Sequence, residues 1–370
     1  MVDIGAIILR RCQPNTETPG NILENRMKIV SNRPTITRKE LESVLDSLIN
    51  DELVAGESVK ILESSIAKML GIKYPLATSS LTAAYHLIFK ALEIGGTDEV
   101  IIPSYFPKAP VSALSIIGGK PVLVDSDKDS LFPSADAIRA KITENTRAIV
   151  VSHLFGYHFY CNELGDVNLP IIEDISHAIG TEIEENPCGK SGAITVLSFD
   201  PSGILTTGNG GMVLTNNSKY YSTMKDFRGN GNDHIHYEYT MTDFQGAMGI
   251  SQLGKLPDLL IRRREIAKMY HDALRITPHK TPYQYNDRFA YQSFPVLFNV
   301  PNDKIESYWR KNRVETVRSL QYPLHTLLGL NPADFPNSDR ISKKLFSIPL
   351  YPTLSRKDVE KISKLLASFI

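Results

Sequence analysis

The stretch Ser198–Thr215, SFDPSGILTTGNGGMVLT, concentrates the chain's turn chemistry. An apolar run from Ile194 to Phe199 reads as a buried strand. Pro201, small residues and a Thr-Thr-Gly-Asn-Gly-Gly turn follow, and Gly211 to Thr215 returns as a second strand. On residue types alone this is a hairpin-like excursion. Three further polar clusters directly follow strand-like runs: Thr78–Thr82, Ser104–Lys108 and Asp174–His177. Ligand sites in open α/β sheets collect at the carboxyl ends of strands, so these clusters can converge with Ser198–Gly203 on one site. Plainer roles exist for each. Asp174 can cap a turn, His177 can be a hydrogen-bonded histidine at a helix start, and Lys108 and Lys190 read as exposed charges. Cys12, Cys161 and Cys188 lie far apart with no C-x-x-C spacing. They imply neither a disulfide framework nor a zinc site and fit a reducing compartment.

The elements that must position these residues alternate. Thr35 or Thr37 is placed to cap a helix from about Arg38 to Asn50, with Leu41, Val44, Leu45 and Leu48 on one face. A second amphipathic helix is predicted over Glu57–Leu70. Strands at Tyr74–Thr78, Val100–Pro103 and Val122–Asp125 then alternate with helices at Ser80–Leu92, Pro110–Ile117 and Ala135–Ile142. Strands at Ala148–Ser152, Ile171–Asp174 and Ile194–Ser198 follow. Short buried strands alternating with helices predict a mostly parallel α/β sheet covered on both faces. Beyond Asn217 the pattern is mainly helical, with Thr242–Leu253 and Leu259–Leu274, the latter carrying Arg262, Arg263 and Arg264 as a solvated face. A strand at Tyr291–Leu297 and helices at Asp303–Lys311 and Arg356–Phe369 predict a small α+β domain. The first 33 residues read as an extension with a short strand at Ala6–Arg10.

With 370 residues and 42% hydrophobic content, a large domain plus a smaller one is expected. Lys+Arg and Asp+Glu are equal at 41 each, which argues against nucleic acid or an anionic membrane as the main partner. No apolar run approaches the roughly 18 residues of a membrane span. The charges of MVDIGAIILRRC follow its apolar patch, whereas a secretory signal carries them before it. A cytoplasmic location is the expectation.

Seven landmarks occur in order: GTDEVIIPSY (96–105), GGKPVLVDSD (118–127), HLFG (153–156), IIEDISHAIG (171–180), the central stretch, TDFQGAMGISQL (242–253) and SIPLYPTLS (347–355). Together they resemble the DegT/StrS family of pyridoxal phosphate (PLP) dependent sugar aminotransferases, from about Arg33 to Ile370. The resemblance implies a fold-type I PLP-transferase. Its large domain, 34–255, would hold a seven-stranded, mostly parallel sheet, followed by a small C-terminal α+β domain, 256–370. By the same resemblance Asp174 matches the aspartate that pairs with the pyridinium nitrogen and keeps the ring an electron sink. His177 matches a Gln or His beside the ring, and Ser198 a serine near the cofactor phosphate. Ser80 and Thr82 match the ends of a Ser-Gly-Thr phosphate cup at a helix N-terminus.

Other positions depart from the pattern S-F-H-x-x-K-x-[IL]-T-T-G-E-G-G-M. Gly203 stands where the family carries its Schiff-base lysine, and glycine supplies neither an amine nor a base for the proton shift. Leu81 replaces the cup's glycine. Glu238 replaces an asparagine that reaches the neighbouring subunit's cofactor phosphate, Thr240 a nearby arginine, and Asn209 an acidic residue. Pro107 falls about where an aromatic stacks on the ring, with Phe106 as its alternative. The resemblance implies PLP or pyridoxamine phosphate (PMP), held noncovalently or lost here. It also implies a nucleotide-sugar-like ligand and a homodimer built around Tyr237–Thr240 and the helix Phe244–Leu253. Three functions stay open. One is a member that has lost ordinary transamination. Another is a lysine-independent PMP enzyme acting on a keto-sugar, with His177 as base. The third is a non-catalytic partner protein.

Overall fold

The computed structural model describes residues 29–128, 130–229 and 236–370. The strand expected at Ala6–Arg10 and the residue Cys12 lie outside the described residues. Thr37 opens helix α1 (Arg38–Ile49) with a reciprocal capping box, its N–H bonded to the Glu40 carboxylate at 2.7 Å. Helix α2 (Glu57–Leu70) begins at Gly56, which brings no capping side chain of its own. Asp243, distant in sequence and 1% exposed, accepts the N–H groups of Gly56, Ser58 and Val59 at 2.9, 3.2 and 3.0 Å. The helix therefore takes its cap from tertiary structure.

The alternation continues as β1 (Tyr74–Thr78), α3 (Leu81–Ala91), β2 (Glu99–Pro103), α4 (Ala109–Ile117), β3 (Lys120–Val124), α5 (Ala135–Arg139), β4 (Thr146–Ser152) and β5 (Ile171–Asp174). A two-stranded hairpin, β6 (Glu182–Ile183) and β7 (Asn186–Pro187), leads to β8 (Ile194–Ser198) and β9 (Gly211–Thr215). Seven strands form one sheet in the order β1-β9-β8-β5-β4-β2-β3. The pairs β3–β2, β2–β4, β4–β5 and β5–β8 are parallel, and β9 alone runs antiparallel to both neighbours. The parallel strands read as continuous apolar runs because both their faces are covered: Val100, Ile101, Ile102, Ile149 and Val150 are all fully buried. Each such side chain contributes about 1.5–3 kcal/mol.

Helices α6 (Ser218–Arg228), α7 (Asp243–Gly254) and α8 (Leu256–Leu274) follow. Beyond them come β10 (Phe294–Leu297), α9 (Asn302–Lys311), β11 (Val317–Arg318), α10 (Leu324–Leu327), α11 (Pro336–Lys344), β12 (Leu345–Ile348) and α12 (Arg356–Ser368). Strand β12 pairs antiparallel with both β10 and β11 to make a separate three-stranded sheet. Strands β11 and β12 and helices α6 and α11 were not anticipated. The two residues of β11 and the four of β12 are too short to show a period, and α6 and α11 are too polar for a clear apolar stripe.

The arginine run is not a solvated face. Arg263 is 2% exposed and donates to the carbonyls of Tyr291, Gln292 and Leu350 at 3.0, 3.0 and 3.2 Å. Arg264 bonds the carbonyls of Phe289 and Gly180. These two side chains tie α8 to the segment entering the small sheet, a use of arginine that helical spacing alone does not reveal. Among the described residues no helix is long and apolar enough to cross a membrane.

Candidate functional site

The register of β1, β9, β8 and β5 sets the site. Gly211 pairs with both Thr78 and Ser198, and Asp174 pairs with Val196. Ser80, Ser198 and Asp174 therefore reach the same end of the sheet. A Cβ at Gly211 would stand 2.7 Å from the Ser80 carbonyl, so only glycine lets β9 pass this close.

Asp174 is buried at the end of β5. One carboxylate oxygen accepts the Tyr85 hydroxyl at 2.7 Å, and the other accepts the Ser176 N–H at 2.8 Å. Its own turn is thus capped, while an ionised carboxylate still offers further acceptor positions. His177, three residues on, lies against the Phe155 ring, with centroids 5.7 Å apart and planes 22° from parallel. Its Nδ1 accepts the Phe155 N–H at 3.3 Å. Burial holds the imidazole below its ordinary pKa range, with Asp200 and then Asp174 pulling the other way. Phe155 is held at φ +60°, a left-handed conformation that a bulky residue adopts at a cost.

After β8 the chain turns sharply. The Gly203 N–H bonds the Asp200 carbonyl at 3.0 Å, which closes an Asp-Pro-Ser-Gly turn. The Asp200 carboxylate accepts the Ser198 hydroxyl at 2.9 Å, the Ser202 N–H at 2.8 Å and the Ser202 hydroxyl at 2.5 Å. Burial alone would raise its pKa. The Ser202 and Ser198 bonds and nearby His177 outweigh that and hold it low. Gln292 pins the turn from outside, donating its Nε2 to the Ser202 carbonyl at 2.7 Å. Beside the turn lies a cavity of about 170 Å³, lined by Phe155, His177, Ser202 and Gln292, by Ser31 and Asn32, and by serines of the small sheet.

The other sequence-predicted residues are placed as follows. Ser80 caps α3, accepting the Ala83 N–H at 3.1 Å, and Thr82 lies half-buried in the first turn. Leu81 packs against the main core. Phe106 is 1% exposed and belongs to that core. It does not line this cavity, whose aromatic is Phe155. Asn209 is exposed in the turn before β9, its side chain accepting the Gly210 N–H. Glu238 is exposed at φ +51°, and within the chain it does not line the cavity. Lys108 is exposed at the start of α4, and Lys190 lies near Gly71, at the end of α2. Phe155, Asp200, Ser202 and Gln292 were missed. The Asp-Pro-x-Gly turn was legible as such, but nothing local marks Gln292, which arrives from the distant small-domain segment.

A second polar cluster is buried deeper. Ligand atoms of His153, Cys161 and Glu173 gather within 4.8 Å of one another. Both His153 nitrogens and both Glu173 oxygens already have protein partners, so the cluster is a structural lock.

Comparison with known proteins places this architecture. The model of the DegT/DnrJ/EryC1/StrS aminotransferase family matches residues 34–367. The chain belongs to that family. It is 31% identical to the protein MJ1066 of Methanocaldococcus jannaschii, with 88% of this chain and 94% of that one covered. It is 29% identical to the GDP-perosamine synthase of Escherichia coli O157:H7, covering 91% and 97%. Among solved structures, Spr1654 of Streptococcus pneumoniae in its PMP-form superposes with a TM-score of 0.85 at 23% identity, covering 91% and 96%. It has also been solved in a PLP-form. The fold is that of the fold-type I aminotransferases, and PLP or PMP is the cofactor of this family.

The residues of this family member do not fit that cofactor as a whole. Asp174 could serve a ring nitrogen. No amine exists at Gly203, and a Cβ there would stand 2.9 Å from the Leu205 carbonyl and 3.2 Å from that of Asp200. Ser198 spends its hydroxyl proton on Asp200. At the positions the resemblance gives to the covalent tether and to one phosphate anchor, the chain has no amine and a hydroxyl already bonded to Asp200.

Proposed function

We propose that this family member binds a nucleotide-sugar-like ligand and does not carry out lysine-dependent transamination. The observation that carries the reading is Gly203, closed into a turn that offers no amine and no room for a side chain. The GDP-perosamine synthase relative supports the ligand class. The setting is nucleotide-sugar or cell-surface polysaccharide metabolism in the cytoplasm. Residues 34–255 form the large domain, 256–370 the small one, and 1–33 an extension. Asp174, His177, Ser80, Thr82 and Ser198 line the ligand end of the sheet. The hold of Asp200 on Ser198 argues against the lysine-independent PMP alternative.

The protein acts as a homodimer in this reading. Helix α1 and the loop after it expose an apolar face, with Leu41, Leu45 and Leu48 at 46%, 43% and 44% exposure and Val54 at 80%. A face of this extent marks an interaction surface. Light scattering is expected to give twice the chain mass at micromolar concentration.

The main test is chemical. Wild-type protein mixed with PLP is expected to show no lysine linkage that borohydride can fix, and Gly203→Lys is expected to show none either, because the Leu205 carbonyl obstructs the new side chain. Calorimetry with a GDP- or UDP-linked sugar is expected to show binding. A borohydride-fixed linkage in wild type, or no heat with any nucleotide sugar, overturns the proposal.

A further inference from the structure

We propose that Asp200 is a built-in anion that closes this site to phosphorylated cofactors and leaves the adjoining cavity to an uncharged, hydroxyl-rich ligand. The proposal rests on the nucleotide-sugar reading only for the sugar itself; its claim about anions stands on the turn. Apart from the N-terminus of α3 beside Ser80, the groups at the end of β8 able to hold an anion are the Ser198 hydroxyl and the N–H and hydroxyl of Ser202. All three donate to Asp200. An incoming phosphate finds these donors spent. It also meets the charge of Asp200, with the carboxylate of Asp174 at the end of the neighbouring strand.

The cavity beside the turn matches this electrostatic picture. Among the described residues no lysine or arginine lines it. Beside the His177 imidazole, most of its polar groups are hydroxyls and amides, from residues such as Ser31, Asn32, Gln292, Ser293, Ser319 and Ser347. Such groups suit neutral hydroxyls, which both donate and accept. A volume of about 170 Å³ holds roughly five or six waters at ~30 Å³ each. That is room for about one sugar ring and too little for a nucleotide, which would remain outside.

The position of Asp200 is fixed locally. Its carboxylate closes the turn onto Ser202, and Gln292 and Asn32 hold the carbonyls of Ser202 and Pro201. Asparagine at this position keeps an acceptor for the Ser202 N–H and suits the same turn, so Asp200→Asn removes the charge with little change of shape.

Wild-type protein, Asp200→Asn and Asp200→Asn/Ser198→Ala are titrated calorimetrically with PMP, inorganic phosphate and a neutral monosaccharide. Wild type is expected to bind the monosaccharide and to bind neither PMP nor phosphate at millimolar concentration. Asp200→Asn is expected to gain about tenfold or more in PMP affinity, the scale of one charge-assisted hydrogen bond. The added Ser198→Ala should remove that gain. Monosaccharide affinity should change little across the series. Micromolar PMP binding by wild type overturns the proposal, as does a folded Asp200→Asn with no gain. Should Asp200→Asn fail to fold, the wild-type PMP titration decides alone. Failure of nucleotide-sugar binding would overturn the functional reading and leave the PMP result to be judged separately.

Discussion

Glu173→Ala is expected to lower the unfolding free energy by about 4 kcal/mol, read as a large drop in the denaturant midpoint. Glu173 is fully buried in β5. Its carboxylate accepts His153 Nε2 at 2.9 Å and the N–H groups of Gly189, Ser191 and Gly192 at 2.8, 3.0 and 2.8 Å. Burial by itself would raise its pKa. The bond from His153 and the backbone donors reverse this and hold the pKa low. The carboxylate thereby stitches the loop before β8 to the middle of the sheet. Alanine would leave four donors without this acceptor, those of His153 and Gly189 fully buried, and each buried orphan costs about 1–3 kcal/mol before relaxation. Glu173→Gln keeps the shape but turns an amide N–H₂ toward backbone donors, so it should also destabilise, by less. An unchanged midpoint for Glu173→Ala would mean that water or local rearrangement satisfies the loop.

Gly156→Ala is the second large effect, expected to cost at least about 3 kcal/mol and to weaken ligand binding as well. Gly156 has φ +96°, and an added methyl would fall on the backbone nitrogen of Tyr291, with the Gln292 nitrogen 3.1 Å away. Both neighbours are main chain, and neither can rotate aside. The contact is also where the segment before β10 docks: the Gln292 N–H bonds the Phe155 carbonyl at 3.1 Å, and the Thr181 hydroxyl bonds that of Gly156 at 2.8 Å. Displacing this segment moves Gln292 off Ser202 and Phe155 off His177 together. The check is a denaturation curve beside a ligand titration. A stable variant with wild-type affinity would show that the two segments separate freely.

The apolar runs Val100–Ile102 and Ile149–Val151 announced buried parallel strands, because a strand covered on both faces has no polar side to alternate with. A threonine before Arg38, Thr35 or Thr37, announced the helix start, and the reciprocal bond with Glu40 selects Thr37. The order of the seven landmarks carried the family, and Gly203 marked the missing amine by its identity alone. These features depend on neighbours within a few residues, or on what a single side chain lacks.

Other features needed the folded chain. Arg263 looked like one member of a charged run, yet it reaches three carbonyls that arrive from sequence positions 28 to 87 residues away. Phe106 and Phe155 are equally apolar in the sequence. Only the packing decides that Phe106 fills the core while Phe155 stands against His177. Likewise, the Asp-Pro-Ser-Gly turn is a local motif, but its meaning comes from register. Pairing with β9 and the β5 end sets Ser198 and Asp174 at one end of the sheet, and Gln292 comes from a separate domain-sized stretch to pin the turn. Side-chain identity and short-range period thus determined the elements and the absent chemistry. Which groups share the site, and which donors Asp200 has already taken, was decided by long-range closure of the chain, which no local pattern encodes.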